Sequence, residues 1–130
     1  SYRSKPKGEL KNHTVKFHRK LEGNLQGLFN ELATHKDFYI HEFSTYDYRN
    51  VVGSSTPKLS NHSYGIAFDL NPHYNPYIKN GVVKGGANIY NSTLSMRSSS
   101  NWVVQTCAKY GFGWGGWYKD YMHLSYFGGR

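Results

Sequence analysis

The sequence predicts an α+β domain, a small antiparallel sheet with helices set to one side of it. Three observations predict it. One amphipathic helical stretch precedes any strand-like segment. The strands that follow are short, aromatic or β-branched, and separated by Gly, Pro and Asn clusters instead of alternating regularly with helices. The 130 residues show a single compositional regime, the size of one domain.

Residues 1–13 carry charge and turn formers without periodicity and are expected to form a flexible basic arm ahead of a domain spanning 14–130. From Val15 to about Thr34, the side chains of Phe17, Leu21, Leu25, Leu28, Phe29 and Leu32 recur at helical spacing, which predicts one amphipathic helix. Gly23 and Gly27 fall off that face and cost about 1 kcal/mol each against Ala. Residues 38–43 and 45–52 read as two strands closed by the turn cluster Gly53-Ser54-Ser55-Thr56-Pro57. A third strand is expected over 65–70, where Asn71-Pro72 and then Asn75-Pro76 end regular structure and begin a long loop to about Leu94. Ser98-Ser99-Ser100 offers capping hydroxyls to a second helix from Trp102 to Tyr110, ended by Gly111. Residues 111–117 then read as a glycine and tryptophan loop. The last strand, 121–127, places Met122, Leu124 and Tyr126 on one face and Tyr121, His123 and Ser125 on the other.

Composition narrows the chemistry. The chain has a single cysteine, Cys107, so no intrachain disulfide and no cysteine-rich zinc site can form, and any metal must be held by His and carboxylate. No apolar run approaches the roughly 20 residues that span a bilayer, and membrane insertion is not expected. A formal charge of +8 implies attraction to polyanions: nucleic acid, anionic membrane or acidic wall polymers, or simply a basic soluble surface. The basic residues are scattered and no element collects them, so no nucleic-acid partner is expected. The 12 tyrosines are expected to include several that line a groove.

Chemistry concentrates in two segments. In Ser60-Asn61-His62-Ser63-Tyr64-Gly65-Ile66-Ala67-Phe68-Asp69, strand alternation puts Ala67 and Asp69 on the face opposite Ile66 and Phe68. A bend at Gly65 lets His62 return toward Asp69, and small Ala67 leaves room beside them. In Asp120-Tyr121-Met122-His123 an acid and a histidine stand three apart, and they can meet one ion only if Asp120 lies in the turn before the strand. Two His and one carboxylate make a common catalytic zinc set with an open fourth position, and a further carboxylate is what a general base requires. On spacing alone, a satisfied surface or core histidine and a turn-capping aspartate are the more ordinary readings of these residues.

Residues 60–69 match the Ser-x-His-x-x-Gly-x-Ala-x-Asp signature of the M15-type zinc peptidases, and Asp120 to His123 matches their closing acid-x-x-His. The chain thus resembles the D-alanyl-D-alanine carboxypeptidases and L-alanyl-D-glutamate endopeptidases, whose fold is also that of the zinc-bearing domain of Hedgehog proteins. Tyr48-Arg49-Asn50-Val51, Asn71-Pro72, Asn75-Pro76 and Trp114-Gly115-Gly116 extend the likeness over about residues 15–127. Two positions depart from the usual pattern. Leu124 replaces an aromatic after the ligand histidine, a packing change on the core side, and Asp120 stands where some members carry Glu.

The resemblance implies one Zn2+ held by His62, Asp69 and His123, with Asp120 as general base and acid and Arg49 stabilising the charge that grows on the scissile carbonyl oxygen. Ser60 is expected either to contact substrate backbone or to orient His62, and Trp114 to wall the groove. The implied activity is hydrolysis of a peptide bond in bacterial peptidoglycan stem peptides, either removal of a terminal D-Ala or a cut between L-Ala and D-Glu, as in phage endolysins. A monomer acting at the cell wall, in the periplasm or outside the cell is expected, or a phage-encoded enzyme acting on its host's wall. The alternative is a zinc-bearing binding module of the same fold without turnover, against which the intact Asp120 speaks.

Overall fold

A computed structural model describes residues 1–45, 47, 51 and 58–130. Four strands form one antiparallel sheet in the order β1-β2-β6-β5: β1 Phe43–Ser44, β2 Ala67–Leu70, β5 Phe112–Trp114 and β6 His123–Tyr126. Cross-strand partners share a face, so the register sorts the sheet into two sides. Phe68 pairs with Leu124 and Leu124 with Trp114, all buried on one side, while Asp69 pairs with His123 and Ala67 with Ser125 on the other.

The first side is the core. Helix α1, Glu22–Leu32, buries Leu25, Leu28 and Leu32 there, and α2, Trp102–Lys109, buries Val103, Val104 and Cys107. Phe68 is its hub, with ring centroids of Phe112 at 5.2 Å, Phe43 at 5.3 Å and Phe29 at 6.2 Å. Leu124 is fully buried in this cluster, as the alternation of β6 requires.

Several elements differ from the expectations. The first helix starts later than Val15: His18 caps a 3-10 turn, Arg19–Leu21, by accepting the Lys20 N–H, and α1 follows. Only Phe43 of the 38–43 segment enters a strand. The Ile40 N–H goes to the Arg3 carbonyl, and the N–H groups of His41 and Glu42 go to the Asn71 side chain, so side-chain and arm acceptors replace a ladder. Of the predicted second strand, residues 46, 48–50 and 52 lie outside the described residues, together with the turn at 53–57. The cap of α2 is Asn101, whose side-chain oxygen accepts from Val103 and Val104, not the serines before it. Part of the expected glycine and tryptophan loop is strand β5, stitched to β6.

The long loop after Leu70 contains a hairpin, β3 Tyr77–Lys79 and β4 Val82–Gly85. Its turn is Asn80-Gly81 with φ of 52° and 74°, the left-handed pair that a two-residue hairpin of matching twist demands. The hairpin is bound to the segment before β6 by Ile78 N–H to the Lys119 carbonyl and Tyr121 N–H to the Pro76 carbonyl. Asn71 and Asn75, both fully buried, tie the surrounding chain together. The Asn75 amide donates to the carbonyls of Leu70, Asn71 and Leu94, and its oxygen accepts the Met96 N–H. Residues 1–13 also make backbone contacts: Tyr2 bridges Lys11, and Lys7 N–H reaches the Lys36 carbonyl.

Candidate metal centre

The centre is built on the sheet face turned away from the core. Asp69 on β2 and His123 on β6 are direct cross-strand partners, and both project from that face because Phe68 and Leu124 occupy the other. His62 arrives from a 3-10 turn, Asn61–Tyr64, closed by Gly65 in the left-handed region at φ 66°. Ser60 opens that turn, its hydroxyl oxygen accepting the His62 N–H at 3.3 Å.

Three atoms converge. His62 Nε2 lies 3.2 Å from Asp69 Oδ1, His123 Nδ1 lies 3.6 Å from the same oxygen, and the two nitrogens are 3.2 Å apart. Among the described residues this is the one group of three or more His, Cys, Asp or Glu so disposed. Donor atoms at zinc bond lengths around a tetrahedral ion are about 3.3–3.6 Å apart, so the triangle has the size of one face of such a polyhedron.

The other ring nitrogens decide what these atoms are. His62 Nδ1 is 2.7 Å from the Thr45 carbonyl and His123 Nε2 is 2.8 Å from the Gly129 carbonyl. A carbonyl only accepts, so each outer nitrogen carries the hydrogen and each inner nitrogen of a neutral ring presents a lone pair. Two lone pairs and a carboxylate oxygen, packed within 3.6 Å of one another in a buried pocket, repel unless a cation or added protons lie between them. The residues therefore fit a divalent metal ion, and the donor set, two imidazoles and one carboxylate, suits zinc. Burial raises the Asp69 carboxyl, but His123 and His62, which can donate to it only when their inner nitrogens are protonated, outweigh that effect in the absence of a metal ion and hold the group well below the usual carboxylate range.

Beside the triad lies a cavity of about 180 Å3, whose lining includes Ser60, Asp69, Asp120, His123, Lys84 and Arg130. Asp120 occupies the turn entering β6, as a shared site requires. Its N–H donates to the Gly115 carbonyl at 2.9 Å and its carbonyl accepts from His123 N–H at 3.2 Å. Tyr118 borders the same acids. Burial, then the charge of Asp120, push its hydroxyl well above its ordinary value, while the Arg130 guanidinium, 4.6 Å over its ring, opposes them. A larger cavity of about 580 Å3 lies between the N-terminal residues, α1 and Phe43, and holds no member of the triad.

A model of the family described as D-alanyl-D-alanine carboxypeptidase matches residues 53–126, more than half of the chain and both segments that carry the triad. The chain belongs to that family. Neither the curated proteins nor the solved structures gave a match. Membership assigns this carboxypeptidase-family domain to the peptidases, and the structure brings His62, Asp69, His123, Asp120 and Ser60 into one neighbourhood. Arg49 lies outside the described residues. Trp114 is a core side chain, 8% exposed, whose indole N–H donates to the Tyr121 carbonyl, and it is not among the residues lining the cavity. The exposed indole of that segment is Trp117. His73 stands by His41 and Tyr74, away from the triad.

Sequence reasoning missed the wall that the β3–β4 hairpin supplies through Tyr77, Lys84 and Gly85. Asn80-Gly81 between two β-rich triplets was its available signal. Arg130 has no comparable local signal.

Proposed function

We propose that this domain is a zinc metallopeptidase that hydrolyses a peptide bond in the stem peptides of bacterial peptidoglycan. The observation that carries the reading is the convergence of two tautomer-fixed imidazole lone pairs and the Asp69 carboxylate beside a cavity lined by a further acid, Asp120. His62, Asp69 and His123 would hold the ion. Zinc bound there supplies Lewis-acid polarisation of a carbonyl and makes a neighbouring water more acidic.

The chain's own groups do the rest. Asp120 takes a proton from the attacking water and returns one to the leaving amine, a single carboxylate acting as base and then as acid. Arg49, assigned on its position upstream of the signature, stabilises the developing oxyanion. Ser60, with its hydroxyl already engaged by the His62 N–H and the Arg130 carbonyl, orients the ligand turn. Lys84 and Arg130 give the cavity cationic walls suited to stem-peptide carboxylates. Such a substrate places the site of action in the wall, the periplasm or the exterior.

The test is mass spectrometry of purified peptidoglycan fragments after incubation with the zinc-loaded protein, beside chelated and Asp120→Ala samples. Loss of one alanine from pentapeptide stems identifies a carboxypeptidase, and release of a stem beginning at D-Glu identifies an endopeptidase. Zinc bound with no fragment altered in any sample would overturn the peptidase reading in favour of a zinc-bearing binding module.

A further inference from the structure

Three consecutive backbone carbonyls, those of Gly128, Gly129 and Arg130, are each consumed by groups that position the triad. The Gly128 carbonyl accepts from the Asn61 side-chain amide at 3.3 Å and the Ser125 hydroxyl at 3.2 Å. The Gly129 carbonyl accepts from His123 Nε2 at 2.8 Å. The Arg130 carbonyl accepts from the Asn61 N–H and the Ser60 hydroxyl, both at 2.8 Å. Asn61 and Ser60 adjoin His62, and the Asn61 amide also donates to Ser125 Oγ at 2.7 Å, so one strap joins the turn carrying His62 to the strand carrying His123.

The path of this strap is written into glycines. Gly128 and Gly129 sit at φ of 75° and 84°, a region that side-chain-bearing residues rarely adopt. Beneath them, on the site face of β5, a Cβ on Gly113 would meet Gly128 Cα at 2.9 Å. The bare backbone there lets the strap lie flat against the sheet.

We infer that the main chain of residues 128–130 and Asn61 form a positioning strap that sets the metal centre: through the backbone oxygens of 128–130 and the Asn61 amide, and apart from the Arg130 side chain at the cavity, it fixes the Nε2–H tautomer of His123 and the placement of His62. Free of the Gly129 carbonyl, the His123 ring loses the partner that keeps its Nδ1 lone pair aimed inward, and it can rotate or exchange tautomers. Ligand basicity and geometry then both decline.

Gly113→Ala, which pushes the strap from beneath, and Asn61→Ala, which cuts its side-chain tie, test this in the full chain. Zinc affinity is read by chelator competition, and the His123 tautomer by nitrogen-15 correlation spectra of the imidazoles in metal-free and zinc-loaded protein. We expect each variant to weaken zinc about 10–100-fold, to shift the metal-free His123 ring toward mixed tautomers, and, on the peptidase reading above, to lower kcat with KM little changed. Unchanged zinc affinity and an unchanged His123 tautomer in Asn61→Ala would overturn the inference, even if Gly113→Ala fails to fold. Wild-type protein that binds no zinc would sink the proposed function instead, and the metal-free imidazole spectra would still decide whether the strap holds His123.

Discussion

Asp69 and His123 face each other across β2 and β6 because each lies one residue from a core side chain, Phe68 and Leu124, and alternation leaves them no other face. Their chemistry is then set by what lies behind them, the carbonyls of Thr45 and Gly129. On the proposed mechanism, Asp120→Asn keeps the shape of the turn and removes the base. Fragment release should fall by about 100-fold or more while zinc content, measured by atomic absorption, stays at the wild-type level. Gly115 is the tight point of the same turn, since a Cβ there would meet the Asp120 carbonyl oxygen at 2.6 Å and His123 Cβ at 3.0 Å. Neither is the free end of a side chain. Gly115→Ala should therefore displace acid and ligand together, and turnover should fall by a larger factor than the folded fraction in a parallel melting experiment.

The elements show why glycines of the same helix are not equivalent. In α1, a Cβ on Gly23 meets nothing within 4 Å, whereas one on Gly27 would press to 2.7 Å against the Tyr110 ring that follows α2. Gly23→Ala is expected to stabilise the domain by about 0.5–1 kcal/mol through helix propensity. Gly27→Ala should gain nothing or destabilise, and denaturant titration of the two variants separates the cases. From spacing alone both glycines carry the same cost, because the Tyr110 contact is tertiary. The hairpin was legible in Asn80-Gly81, yet a loop rich in Asn and Pro around it masked the short triplets on either side. β5 was hidden more thoroughly, as a three-residue strand between glycines has too little pattern to see and exists through its ladder with β6.

For the whole molecule, the proposed zinc site would couple folding to metal. Three buried or half-buried donors converge in the folded chain alone, so an ion that binds the folded state and not the unfolded one should raise stability by about 2.7 kcal/mol at a hundredfold excess over Kd. Calorimetric melting before and after chelation measures it. The ligands bind as neutral imidazoles and an ionised carboxylate, so binding releases protons where they are protonated, and apparent affinity should fall as pH is lowered. Titration calorimetry in buffers of differing ionisation enthalpy gives the sign, and affinity rising on acidification would contradict this ligand set. Cys107 reports on the core from the other side of the sheet. Fully buried, its thiol is pushed far above its ordinary value, so alkylation should proceed only as fast as the domain opens.

By itself the sequence determined the fold class and the face on which Asp69 stands, and it singled out the two segments that converge on the triad, because periodicity, turn residues and strand alternation are local properties of the chain. Position-by-position likeness of residues 60–69 and 120–123 added the expectation of a zinc ion and of a role for each residue around it. Tertiary structure alone decided that the Trp114 indole belongs to the core, that the Ser60 hydroxyl is engaged in holding the His62 turn, and that a hairpin with Lys84 and a strap ending in Arg130 border the cavity. Each of these depends on a partner more than five residues away, such as the Tyr121 carbonyl for Trp114 and the Arg130 carbonyl for Ser60. The side chain alone does not specify such a partner, and only the closed sheet brings it within reach.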